Sequence, residues 1–127
     1  LGGQPLTPAL LLECELDFQQ ASDSAFLQEL ELMQPFGAGN AEPVFASPEL
    51  TVVDRSPLGY SGDHVRLRLK DSASGITLMA KGWNMATAFP PSSVGSRIRV
   101  AYTPRLDYYR GVASIDVGIK DWQPVAD

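Results

Sequence analysis

Apolar and polar residues alternate along the second half of the chain, and this alternation predicts β-strands. The clearest segment is 64–70, where Val65, Leu67 and Leu69 fall on one face and polar side chains fall on the other. Five strands are expected in all, at residues 50–55, 64–70, 76–81, 97–102 and 112–120. Residues 83–89 are interpreted as a short helix that ends at the Pro90–Pro91 pair.

Five short strands with a helical insert between the third and fourth form the element order of an OB barrel. Other small β-barrels also contain five strands, so the pattern favours the OB fold without excluding those barrels. We therefore predict a mostly β protein in which residues 47–127 form a five-stranded, OB-like Greek-key barrel. The length of 127 residues suits one domain with a modest core.

The stretch before the barrel, residues 1–46, is predicted to be a connector that contains a strand and one amphipathic helix. Apolar and acidic residues alternate between Leu12 and Phe18, which indicates the strand. The helix is placed at about 23–33, because capping residues precede an apolar face with helical spacing. That face consists of Phe26, Leu27, Leu30 and Met33.

A glycine-rich loop at residues 35–43 follows the predicted helix. Gly37 and Gly39 allow left-handed backbone conformations there. The loop lacks the third glycine of a dinucleotide-binding fingerprint and the Gly-Lys-Ser/Thr of a P-loop. It is therefore interpreted as a structural turn and not as a phosphate cradle.

The charges are segregated along the chain. The first 54 residues carry nine acidic residues and no Lys or Arg, whereas all ten basic residues lie from Arg55 onward with six acidic ones. The net charge of -5 argues against a nucleic-acid partner. The segregation instead indicates one surface for an anionic partner and another for a different contact. Accidental clustering on a solvated surface is the alternative.

Basic residues also repeat on single strand faces. Arg66, Arg68 and Lys70 have two-residue spacing, and Arg97 and Arg99 repeat it on a later strand. Like charges on one strand face repel and add little to folding, whereas a groove for an anionic strand uses them. The alternative is that they shield exposed sheet faces. Tyr109, in the last turn, could stack on a base, and the neighbouring Arg110 could contact a phosphate. The candidate nucleic-acid-binding residues are His64, Arg66, Arg68, Lys70, Lys81, Arg97, Arg99, Tyr109 and Arg110.

Catalytic chemistry is not indicated. The chain has one histidine, His64, and one cysteine, Cys14, and its acidic residues show no metal-ligand spacing. We predict no catalytic residue, metal or cofactor in this segment, and we assign Trp83 and Trp122 to packing. No apolar run is long enough for a membrane helix, and no signal peptide is recognised. A single cysteine suits a reducing, cytoplasmic location.

Residues 30–45 resemble the segment that leads into the OB domain of bacterial RecJ exonucleases. The stretch Pro-Phe-Gly-Ala-Gly-Asn-Ala-Glu-Pro-Val-Phe at 35–45 is similar to the family's Pro-Phe-Gly-x-Gly-Asn-Pro-Glu-Pro-x-Phe. The matching residues, interpreted as a structural motif, are Pro35, Phe36, Gly37, Gly39, Asn40, Glu42, Pro43 and Phe45. Later matches are Leu58-Gly59, His64-Val65-Arg66-Leu67, Trp83-Asn84 and Tyr109-Arg110-Gly111. Departures from the family pattern are Ala41 for proline, Trp83 for phenylalanine, Asp107 for asparagine and Asp116 for glutamine.

The resemblance implies that the chain is the OB region of a hydrolase that degrades single-stranded DNA from the 5′ end in DNA repair and recombination. The family's catalytic motifs are absent, so Mn or Mg is expected in the parent nuclease and not here. Expected partners are single-stranded DNA, the catalytic domains of the same chain and single-strand-binding protein. In this interpretation the segment holds the strand and guides it to a distant active site. A protein-docking or bracing module with little DNA binding of its own is the alternative.

Overall fold

The computed structural model describes residues 15–32, 42–109 and 111–126, and it contains two helices and six strands. The helices are α1 (Phe18–Ala21) and α2 (Ser24–Leu32). The strands are β1 (Phe45–Ala46), β2 (Leu50–Leu58), β3 (His64–Asp71), β4 (Thr77–Gly82), β5 (Arg97–Tyr109) and β6 (Val112–Pro124). Within these residues no helix is long and apolar enough to span a bilayer.

The sheet closes into a barrel. Its strand order is β1-β5-β2-β3-β4-β6, and β6 also pairs with β5, so five strands form a ring to which β1 is added. The β4–β6 pair is parallel, whereas the other strand pairs are antiparallel. This arrangement confirms the predicted OB-like barrel.

The alternation of β3 explains how the barrel is filled. Val65, Leu67 and Leu69 are fully buried, while the side chains between them point outward as the sequence predicts. On β5, Ile98, Val100 and Tyr102 are buried in the same way. All these apolar residues belong to one hydrophobic core, so the outward face of β3 is left for charged side chains.

Residues 83–89 form turns, so the predicted short helix is wrong. The guanidinium of Arg55 donates from Nε to the carbonyl oxygen of Phe89 at 2.7 Å, and from Nη2 to that of Ala86 at 3.4 Å. Asn84 adopts a left-handed φ of 60°, which is incompatible with a continuous α-helix. The helical part of this connection is a 3₁₀ turn at Pro91–Ser93.

The connector is anchored to the barrel through polar contacts. Glu15 forms a bridge with Ala46, but the strand predicted to reach Phe18 is replaced there by α1, because Asp17 caps that helix. Tyr102 donates its hydroxyl to the carbonyl oxygen of Leu16 at 2.6 Å. Burial, with the nearby carboxylates of Asp17 and Asp71, raises the pKa of Tyr102, so this phenol stays a donor.

The predicted amphipathic helix corresponds to α2. Leu27 and Leu30 are buried in the barrel core, and the ring of Phe26 meets Phe45 edge-to-face with centroids 5.7 Å apart. Met33, the last residue of the predicted face, lies outside the described residues. The described helices thus share the core of the barrel, and the predicted domain division at residue 47 stays a prediction.

Candidate nucleic-acid interface

Three basic residues of β3 form an outward surface that we call the cationic face: Arg66, Arg68 and Lys70. Arg68 and Lys70 are exposed and Arg66 is half-buried. Within the described part of the chain, none of the three forms an ion pair or a side-chain hydrogen bond. The face therefore keeps its positive charge available to an external anion.

Two open depressions border the cationic face and meet at Arg66 and Met79. The smaller, of ≈ 140 Å³, lies toward β2 and is also lined by Ser56 and Arg68. The larger, of ≈ 460 Å³, extends from β4 to the β5–β6 hairpin. Arg66 and Met79 therefore lie between two concave surfaces on the outside of the barrel.

Lys81 and Arg97 flank this face but are already paired. Lys81 lies opposite Arg66 on β4, and its Nζ is 3.0 Å from a carboxylate oxygen of Asp116. Arg97 lies opposite Thr51 on β5, and its Nη1 is 3.3 Å from an oxygen of Glu49. These partners partly neutralise both cations, a feature that strand alternation alone does not reveal.

The remaining candidate residues are placed less centrally. His64 lies at the start of β3, at one end of the cationic face, and Arg99 is exposed on β5 beyond Arg97. The side chain of Tyr109 and all of Arg110 lie outside the described residues. The structure thus brings His64, the cationic face and Lys81 together on the paired strands β3 and β4. Arg97 is farther away, on β5, which is separated from β3 by β2.

Acidic residues limit the charge of the surrounding surface. Asp107 and Asp116, two departures from the family pattern, both line the larger depression. Asp54 lies directly opposite Arg68 on β2. The cationic face is therefore a narrow positive strip with acidic residues on both sides.

The described residues contain no group of three or more His, Cys, Asp or Glu side chains that would hold a metal ion. The resemblance places the Mn or Mg ion elsewhere in the parent protein. The cationic face offers guanidinium and ammonium groups, whose chemistry is the binding of anions.

The sequence assigns Trp83 to packing, and the structure shows otherwise. Its side chain is 54% exposed, and its ring meets the imidazole of His64 edge-to-face with centroids 4.9 Å apart. Trp122, in contrast, is partly buried against the core and packs on Phe89 as predicted. Size alone therefore predicts one tryptophan correctly and the other wrongly.

Comparison with known proteins decides the family. The family described as the RecJ OB domain matches residues 12–121. The chain belongs to this family. The resemblance seen in the sequence is therefore confirmed, and the barrel is a RecJ OB domain.

Two kinds of relatives support this assignment. The single-stranded-DNA-specific exonuclease RecJ of Haemophilus influenzae is 25% identical over 112 residues, which are 86% of this chain and 19% of that protein. Crystal structures of Thermus thermophilus RecJ in complex with Mn²⁺ and with Mg²⁺ are 26% identical, with TM-scores of 0.56 and 0.55. Both cover 79% of this chain and 14% of the RecJ chain. The chain thus spans less than a fifth of each relative.

The RecJ motif residue Glu42 connects the start of the barrel to its long hairpin. Its carboxylate pairs with Arg105 of β5 and, at 2.6 Å, with Nζ of Lys120 of β6. Next to it, the carbonyl oxygen of Pro43 accepts a hydrogen bond of 2.6 Å from the Thr103 hydroxyl. Phe45, also in the motif, is buried in the core. The other five motif residues, Pro35, Phe36, Gly37, Gly39 and Asn40, lie outside the described residues.

Sequence reasoning did not identify Arg105 and Lys120 as partners of Glu42. Both are more than 60 residues away along the chain, and Arg105 lies in the part of β5 beyond the predicted strand end at residue 102. The alternation of residues 97–102 continues weakly past Pro104, and this was the available signal for a longer strand.

The pairing of Glu42 predicts a pH-dependent contribution to stability. Partial burial tends to raise the pKa of Glu42, but hydrogen bonds and charge from Lys120 and Arg105 outweigh burial and hold the pKa below its usual value. A carboxylate with a lowered folded-state pKa stabilises the fold above its unfolded pKa, and this stabilisation is lost as pH falls through the folded pKa. We expect Glu42→Gln to lower the free energy of unfolding by roughly 1 kcal/mol at neutral pH, since Arg105 and Lys120 are partly exposed.

Urea unfolding of both proteins between about pH 7 and pH 3 checks this prediction. The two unfolding free energies should converge toward the acid end, because the wild-type carboxyl is then protonated. A gap that stays constant across this range contradicts a role for the charge of Glu42.

Proposed function

We propose that this chain is the part of a RecJ-type nuclease that binds single-stranded DNA on its cationic face. It would guide the strand to a metal-dependent active site elsewhere in the parent protein. The observation that carries the proposal is the cationic face itself: Arg66, Arg68 and Lys70 lie outward on one strand without an intramolecular partner among the described residues. A strand phosphate is the anion that such a row fits best.

The cost of this arrangement supports a functional purpose. Like charges on neighbouring positions of one strand face repel and do not stabilise the barrel. Elsewhere on the described barrel most basic residues are used internally, with Arg99 as the exception: Arg55 binds loop carbonyls, Lys81 binds Asp116, and Lys120 binds Glu42. The cationic face departs from this pattern, as expected of a surface reserved for a ligand.

The physical mechanism suits a nuclease that must accept any sequence. Phosphate contacts release counterions and supply affinity without reading bases, so the strand can advance along the face. In the parent protein this domain would bind the strand, and Mn- or Mg-dependent catalytic domains would cleave it. 5′-to-3′ polarity, a role in repair and recombination, and a cytoplasmic location belong to the same proposal.

Fluorescence anisotropy of a labelled oligothymidylate tests the proposal. If the cationic face neutralises about three phosphates of a single strand, affinity should fall about 20-fold between ~50 and ~200 mM salt. Binding with this salt dependence supports the proposal. No binding at the lower salt concentration contradicts it and leaves the chain without strand-holding activity of its own.

A second candidate function is bracing of the parent nuclease or docking of a protein such as single-strand-binding protein. Large apolar side chains favour it: Leu32 of α2 is 84% exposed, and Tyr108 and Val112 are exposed at the end of the β5–β6 hairpin. If bracing is the function, Tyr108→Ser/Val112→Ser should lower the melting temperature of the full-length nuclease and leave that of this chain unchanged. Equal effects on both proteins contradict bracing.

A further inference from the structure

We propose that Trp83 is a stacking platform for one nucleobase at the His64 end of the cationic face. The inference rests on the proposed function and adds a contact to the base, whereas the cationic face contacts the backbone. The barrel would then bind a base of DNA or RNA at Trp83, in addition to the phosphates at the cationic face.

The position of Trp83 follows from the end of β4 and from a ring contact. On β4, Lys81 points outward, and Gly82 points inward, where an added Cβ would lie 3.1 Å from Val65. Trp83 comes directly after β4 ends at Gly82, in the turn that contains Asn84. On β3, His64 is on the same face as Arg66, two residues along. The ring contact between His64 and Trp83 places the indole at the His64 end of β3.

The indole is held in place although it is exposed. The backbone N–H of Asn84 donates to Nδ1 of His64 at 2.8 Å, and Asn84 adopts the left-handed φ of 60° that closes the turn. His64 thus fixes the turn through this acceptor and supports the indole through its edge-to-face contact. A preorganised aromatic loses little conformational freedom when a ligand stacks on it.

Trp83 differs from the other exposed aromatic residues of the described chain. Tyr60 and Tyr108 are both exposed and make no ring contact within the described residues. Trp83 is supported by His64, and Arg66 lies two residues beyond His64 on β3, about 7 Å along the strand. A base on the indole therefore leaves its phosphate within reach of the Arg66 guanidinium.

The test compares oligothymidylate with an abasic oligonucleotide of the same length. Trp83→Ala should weaken binding of oligothymidylate roughly 5- to 150-fold, the range for loss of one base–aromatic stack, and should leave binding of the abasic strand unchanged. Trp83→Phe should retain most of the affinity for oligothymidylate but abolish the change of tryptophan fluorescence that DNA causes in the wild type. His64→Ala, which loosens the indole, should reduce the preference for the base-bearing strand.

The outcomes separate this inference from the proposed function. If Arg66→Ala/Arg68→Ala binds DNA much more weakly than the wild type, but Trp83→Ala binds both oligonucleotides like the wild type, the cationic face is supported and the stacking platform is wrong. The stacking platform is also wrong if DNA binds to the wild type without changing its total tryptophan fluorescence, a readout that needs no variant to fold. If the wild type binds neither oligonucleotide, both proposals fail.

Discussion

Replacing Arg66 and Arg68 together by alanine is expected to weaken binding of single-stranded DNA about 50-fold at ~50 mM salt. Each arginine of the cationic face that meets a phosphate releases counterions, and two such contacts account for this factor at low salt. The steepness of the salt dependence should fall as well, by about 1.4 in the slope of log affinity against log salt. Fluorescence anisotropy across a salt series measures both quantities.

The fold should tolerate this double variant, because both side chains point outward and neither supports another residue in the described structure. Ala25→Glu/Gln28→Glu on α2 is the charge-matched control, since it also changes the net charge by two units at exposed positions. We expect this control to lose only a few-fold in affinity, through the general field of the protein. Equal losses for the two double variants would mean that net charge, and not the cationic face, governs binding.

Replacing Asp71 by alanine is expected to have the largest effect on stability, a loss of about 3 kcal/mol in the free energy of unfolding. Asp71 is fully buried at the end of β3. Its carboxylate accepts the backbone N–H of Phe18 at 3.0 Å, that of Ala73 at 3.0 Å and that of Ser74 at 3.5 Å. Alanine leaves the buried N–H of Phe18 without a partner and detaches α1 from the barrel.

Urea unfolding followed by circular dichroism measures this loss. Asp63→Ala is the matched control, because Asp63 is an exposed acid whose side chain has no partner in the described residues. It should change stability by less than about 0.5 kcal/mol. If Asp71→Ala costs no more than Asp63→Ala, the connector is not held to the barrel through this carboxylate.

The barrel was largely predictable because each strand of a closed sheet has one face in the core and one toward solvent. Apolar and polar residues therefore alternate along its sequence. Val65, Leu67 and Leu69 alternate with charged residues, and this local pattern is sufficient to predict both the strand and its buried side. The predicted strand ends were less accurate, since β5 and β6 continue as a paired hairpin past the last clear alternation.

The details of the site depend on contacts that are distant in sequence. Asp116 lies opposite Met79 on a neighbouring strand, next to Lys81, and the parallel β4–β6 pairing that brings them together is a property of the whole barrel. The exposure of Trp83 depends on the turn at Asn84, and the left-handed backbone of Asn84 also interrupts the helix expected nearby. Residue type alone contains none of this information.

Mapping the amide resonances of the chain during titration with an oligothymidylate of about 12 nucleotides shows directly where a strand binds. We expect shifts on β3, at residues 66–70, and around Trp83, with smaller shifts on β4. Shifts confined to the helices or to the hairpin end, or no shifts at low salt, would contradict strand binding on the cationic face.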